Sequence, residues 1–432
     1  MVDEELSEDE DDWVMFDTPA TSQTRVSKSD LQAVRKCLSD TVYPSWLEPP
    51  PMNLGEASHG KLKAAVWKTL FTSFLPMALA DTWQVGDPRL VNLFHLSAAT
   101  CIIDGPVFGP QESQSLKTHL LTYLHTLKST FPHAKILPNH HNSLHFSEIA
   151  SLVGPLRSLA AWAGERTNYT LSRVPTNKHP GEMEITMLTQ VTRASNIKAL
   201  LFEYAAVLRR AWEQLRPLII RLSGLGGTVD AEKDLEDIFP SHGGKKAYLD
   251  QSTYNKLVQH IRFVDPPINR WQNAYSFPLD LKQPVISPHT VMYTTFKWKP
   301  RRPLSTTTES IVGNSLVCFI HPKTQVLSYG IIKSIFSHSR QSKRIKKAEI
   351  FLLVQQFPDL LPQDIIRSPY RRLPLTRITI KYEADNTAEQ TLCRLTDIKC
   401  HLIMWRRPAG TYGISRPTVV LARTEGTSTG LF

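Results

Sequence analysis

A change of apolar period along the chain limits its possible folds more than any other feature. Between residues 28 and 227 apolar side chains recur at helical spacing. Leu31, Val34 and Leu38 form one such set, and Leu62, Val66, Leu70 and Phe74 a second. Leu116, Leu120, Leu124 and Leu127 form a third; Ile197, Leu200, Leu201, Tyr204 and Leu208 a fourth. Each set places a single apolar stripe on a helix. From about residue 289 that period gives way to short runs, HTVMYTTFKW, SLVCFI, VLSYGIIKSIF, AEIFLLVQQF, RITIKY and CHLIMW. Their β-branched and aromatic content, with turn residues between them, is that of strands. The expectation is an α+β chain, mostly helical over its N-terminal two-thirds and ending in a small β-barrel-like domain.

The boundaries follow from composition. Residues 1–27, acidic and then rich in Ser and Thr, read as a disordered tail, and residues 28–227 as the helical domain. Ser29-Asp30 is the expected N-cap of the first helix, Pro76 a kink, and Gly224, Gly226 and Gly227 a helix stop. Residues 228–288 combine polar helices with a Pro-rich linker carrying Pro266, Pro267, Pro278, Pro284 and Pro288. Residues 289–407 form the barrel-like unit, separate and compact. Residues 408–432, rich in Gly and Thr, read as a flexible tail.

A chain of 432 residues has room for two or three domains. It contains no apolar run long enough to span a membrane, and its start, MVDEELSEDEDDW, does not read as a signal peptide. The five cysteines, Cys37, Cys101, Cys318, Cys393 and Cys400, are scattered and lack C-x-x-C spacing. That argues for a reducing compartment and against a structural zinc.

The net charge of +10 is unevenly distributed. Residues 1–20 hold nine acidic side chains and no Lys or Arg; residues 297–347 hold eleven Lys or Arg and a single acid, Glu309. The densest clusters are Lys297, Lys299, Arg301 and Arg302, and Arg340, Lys343, Arg344, Lys346 and Lys347. They fit weak, sequence-tolerant contact with DNA phosphates. They fit equally well a solvated loop or, in SRQSKRIKK, a nuclear-import signal.

Chemistry-bearing residues concentrate in 138–184. His140, His141 and His145 include an i, i+4 pair able to take a metal on a helix, or to serve structure. Glu165, followed by Arg166, fits a metal ligand or an ion pair. Asn177 and Lys178 fit a phosphate contact or a surface turn.

Four blocks in fixed order carry a resemblance. They are YPSWLEPPPMNLGEASHGKLKAAVWKTLF (43–71), FPHAKILPNHHNSLHF (131–146), GPLRSLAAWAGERTNYTLSRVPTNK (154–178) and GEMEITML (181–188). Together they resemble the C-terminal part of fungal CACTA-type (En/Spm-like) DNA transposases. The resemblance implies a transposase insertion domain with the remnant of a ribonuclease-H-like fold, and a nuclear protein with DNA as partner, alongside other transposase subunits or chromatin proteins. It makes Glu165 the last of three carboxylates that hold two Mg2+ ions in an intact site. The two earlier aspartates belong on strands upstream of residue 43, where the sequence offers an acidic tail and one helix. The implied chain is a truncated or degenerate copy, catalytically incomplete and without a cofactor alone. A second reading treats the C-terminal unit, similar in size and strand pattern to bromo-adjacent-homology-like domains, as a non-enzymatic chromatin or protein-interaction module. That reading requires an aromatic cage.

Overall fold

The computed structural model describes residues 26–56, 58, 60–84, 86–159, 168, 171–176, 179–203, 244–265, 271–280, 282–299, 302–309, 311–341, 346–371 and 376–425. Helix α1 (Lys28–Asp40) starts two residues earlier than the Ser29-Asp30 cap expected. Ser27 is its N-cap, accepting from the Asp30 backbone N–H at 3.0 Å, while the Asp30 carboxylate accepts from the Ser27 N–H at 2.8 Å. That capping box satisfies two helix-end donors, and Asp30 also takes the Trp83 indole N–H at 2.9 Å. A two-residue strand, β1 (Thr41–Val42), follows.

Helices α2 (Ala64–Thr69) and α3 (Leu75–Thr82) are joined by a π-helical turn, Leu70–Phe74. The kink expected at Pro76 takes this form because proline has no N–H and its ring would strike the Thr72 carbonyl in a regular turn. Widening the turn, with Leu75 N–H donating to Leu70 O, removes both conflicts. Next come α4 (Pro88–Ile103), α5 (Pro110–Thr130), α6 (Pro138–Ser143), α7 (Phe146–Val153) and α8 (Met183–Glu203). Residues 60–130 thus follow their helical period, with Leu116 and Leu120 of α5 buried against Ala99 and Ile102 of α4.

The remaining elements are β2 (Lys245–Tyr248), α9 (Gln251–Val264), β3 (Gln272–Asn273), β4 (Val285–Ile286), β5 (His289–Tyr293), β6 (Thr295–Lys299) and β7 (Arg302–Ser305). They continue with β8 (Leu316–Ile320), β9 (Leu327–Gln341), β10 (Lys346–Gln356), α10 (Pro362–Arg367), β11 (Ile378–Tyr382), β12 (Gln390–Arg394), β13 (Ile398–Arg407) and β14 (Thr418–Arg423). Ten of these strands form one antiparallel sheet in the order β11-β14-β13-β8-β9-β10-β12, with β1 on β13 and β5 joining β2 to β9. The molecule is a mixed α/β protein built on a large antiparallel sheet. The expected barrel is corrected: β11 and β12, the ends of the path, do not pair, so the sheet stays open.

The open sheet is closed off by helices rather than by itself. One core cluster joins Val34, Leu38, Phe74 and Leu93 of the helical part to Ile380, Ile403, Trp405 and Val420 of the sheet. On β13 and β14 alternate residues face this cluster, while Leu402, Met404, Val419 and Leu421 face a second one with Leu316 and Cys318. Burial on both faces explains the unbroken apolar runs HLIMW and TVVLA. The boundary drawn at residue 289 therefore separates two sequence patterns and not two cores. The flexible tail expected from 408 is also corrected, because β14 lies buried between β11 and β13. No helix among the described residues is long and apolar enough to cross a membrane.

Candidate nucleic-acid interface

The two basic clusters meet different fates. In the first, the β6–β7 hairpin presents Lys299 and Arg302, and both pair with Glu425, Lys299 Nζ at 3.5 Å. Glu425 is held there by Thr424, whose N–H and hydroxyl donate to the His401 carbonyl at 3.2 and 3.0 Å. Arg302 stacks on the Trp46 ring at 4.3 Å and Lys299 on Trp298 at 4.2 Å. Trp46 is delivered by a close approach. A Cβ on Gly313 would stand 1.8 Å from the Tyr43 carbonyl, so only glycine lets the 43–47 loop dock. Asn314 then accepts from the Ser45 N–H at 2.9 Å.

Beneath the two tryptophans lies His401. Its Nδ1 accepts from the Trp46 indole at 3.3 Å and its Nε2 faces the Pro303 carbonyl at 3.0 Å, which assigns the neutral Nε2–H tautomer. Burial, reinforced by Arg302 and Lys299, pushes the imidazole down to about 4. Arg157, exposed on the 3₁₀ turn Leu156–Leu159, adds its charge to both cations. Burial lowers Lys299, and the like charges of Arg302 and Arg157 lower it further. Lys299 and Arg302 thus share Glu425, with the charge of Arg157 beside them. Lys297, half-buried on β6, lies opposite Pro303 across the hairpin.

In the second cluster the described cations, Arg340 and Lys347, are paired. Arg340 on β9 is only 5% exposed and forks onto Asp265 at 2.7 and 2.9 Å. It also reaches Glu349 at 2.7 Å, and Lys347 holds the same carboxylate at 2.8 Å. Burial would raise Asp265 and Glu349, but the cations outweigh it and hold both low. Arg340 is corrected from a phosphate contact to a buried structural charge. Lys346 lies opposite Gln341 on β10, with its side chain outside the described residues. Arg301, Lys343 and Arg344 lie outside them as well, as do Glu165, Arg166, Asn177 and Lys178.

The histidines near α6 divide among local contacts. His140 Nδ1 accepts from the Leu137 N–H at 2.9 Å, His145 lies 3.5 Å from Glu148, and the His141 and His145 rings meet edge-on at 5.2 Å. Among the described residues no group of three or more His, Cys, Asp or Glu side chains is placed to hold a metal ion. Sequence reading missed Trp46, Trp298, His401, Arg157 and Glu425. The KWK triplet at 297–299 is the one local signal, an aromatic ring flanked by cations; the others meet only through the fold. Compared with known protein families, with curated proteins and with solved structures, the chain matches none.

Proposed function

We propose that the chain is a transposase-derived, DNA-associated nuclear protein that holds DNA rather than cuts it, with the phosphate backbone contacting Arg157, Lys299 and Arg302. The observation that carries this reading is the positive charge at the β6–β7 hairpin, where Lys299 and Arg302 share Glu425 and Arg157 adds a third cation. The ordered blocks between residues 43 and 188 supply the transposase part of the reading. The methyl-lysine alternative requires open aromatic faces, and the chain's own Arg302 and Lys299 lie over the two tryptophans.

The test is an anisotropy titration of duplex DNA at two salt concentrations. The combined Arg157→Ser, Lys299→Ser, Arg302→Ser variant should bind more weakly and flatten the salt slope by about 2–3. Equal binding by wild type and this variant, or no binding at low salt, removes the proposal. Nicking of supercoiled DNA with Mg2+ or Mn2+ that is lost in Glu165→Gln would overturn its non-catalytic half.

A further inference from the structure

A separate cavity of about 520 Å³ opens between α9, the turn joining β8 to β9, and the start of β12. Its volume falls in the range of small-molecule sites. The lining is graded by depth. His260 and His321, each 9% exposed, lie deep. Lys256 is half-buried, and Phe263, Lys323 and Glu389 are exposed at the mouth.

His260 is held edge-on to Phe351 at 5.6 Å, and its Nε2 is buried with no hydrogen-bond partner. An unmade hydrogen bond at a buried polar atom is costly, and most such atoms in native proteins are paired. His321 accepts the Thr324 N–H on Nδ1 at 3.1 Å, so its neutral form carries the proton on Nε2. One deep imidazole nitrogen therefore lacks a partner, and the second ring is fixed in a donor tautomer. At the mouth two lysines outnumber one carboxylate, and the Phe263 ring is 66% exposed.

We propose that this cavity is a binding site for a mononucleotide-sized anion. A phosphate meets Lys256 and Lys323, a planar base lies on the Phe263 face, and the polar edge of the ligand meets the His321 Nε2–H, with the His260 ring forming the floor. Glu389 suits an amine or hydroxyl on the same ligand. The site shares no residue with the β6–β7 cluster, so it stands or falls independently of the DNA proposal.

The experiment titrates the full chain with adenosine 5′-monophosphate, adenosine and inorganic phosphate, by calorimetry and by the imidazole nitrogen resonances of His260 and His321. The monophosphate should bind about tenfold or more tightly than either fragment and shift the His321 Nε2 signal. Lys323→Glu, an exposed change that leaves the core intact, should weaken it about tenfold, because a repelling charge replaces a pairing one. His260→Phe, which fills the floor, should abolish binding. No monophosphate binding overturns the proposal, as does equal binding of adenosine or of phosphate alone. Binding unchanged by Lys323→Glu overturns it even where His260→Phe fails to fold.

Discussion

The β6–β7 end and the β9–β10 end of the molecule look alike in sequence, each a dense run of Lys and Arg, and differ in what the fold brings to them. At β9–β10, Asp265 and Glu349 arrive from outside the basic run and balance Arg340 and Lys347 two against two. At β6–β7, among the described residues, Glu425 pairs with both Lys299 and Arg302, and Arg157 adds a third positive charge beside them. The eleven-to-one count over 297–347 was blind to this, because each neutralising acid sits beyond that window, Glu349 by only two residues. Local charge density therefore shows where cations are made. The contact map decides whether they are spent on structure or left for a partner.

The comparison breaks most sharply at Arg340. Removing one member of a buried pair leaves an uncompensated charge, and Arg340→Ala strands Asp265 and leaves Glu349 with Lys347 alone. Urea unfolding should show a loss of about 3–5 kcal/mol, with DNA affinity per folded molecule unchanged. Arg302→Ala, from a partly exposed pair, should lose about 1 kcal/mol or less and reduce DNA affinity. A small stability loss at Arg340 accompanied by weaker DNA binding would exchange the roles assigned to the two ends.

His401 gives the next largest effect, and it belongs to the β6–β7 end alone. Its folded pKa, about 4, lies below the unfolded value near 6.5, so the folded state resists the proton. Its contribution is complete above pH 6.5 and is lost as pH falls from 6.5 toward 4, where the unfolded chain binds the proton and the folded one does not. The full shift corresponds to about 3 kcal/mol. Thermal unfolding between pH 7.5 and 4.5 should show this decline. His401→Gln should flatten it, while His95, His119, His260 and His338, all lowered by burial, keep a remainder. An unchanged slope in His401→Gln would mean that Trp46 and Pro303 do not hold a neutral imidazole.

Helices were legible where one face alone is buried, as in α5, because burial then imprints the 3.6 period. Strands β5, β6, β8 to β11 and β13 were legible from β-branched and aromatic runs, whereas β7, with its proline, and the short β12 were not. Sheet closure was not, since pairing partners such as β11 with β14 are set by long-range register. β14 was overlooked because TVVLAR is short, buried on both faces and embedded in Gly- and Thr-rich sequence. The candidate site was half legible. Lys299 and Arg302 announce themselves, whereas Trp46, Arg157, His401 and Glu425 come from four distant stretches and meet only after folding.

The smallest expected effect is also the most discriminating, because it strengthens binding. Glu425 competes with phosphate for Lys299 and Arg302. Glu425→Gln keeps the side chain's shape and its place after Thr424 while removing the competing charge. Duplex affinity at low salt should rise about three- to tenfold, equivalent to about 1 kcal/mol of ion pairing released to the partner. Glu349→Gln changes net charge by the same amount at the other end. There Arg340 keeps Asp265 and remains buried, so affinity should change little. An equal rise in both variants would mean that DNA responds to the overall positive charge and not to the β6–β7 hairpin. A rise in Glu349→Gln alone would relocate the interface to β9–β10. A rise confined to Glu425→Gln and steeper at low salt than at high is the result that Lys299 and Arg302 sharing Glu425 require.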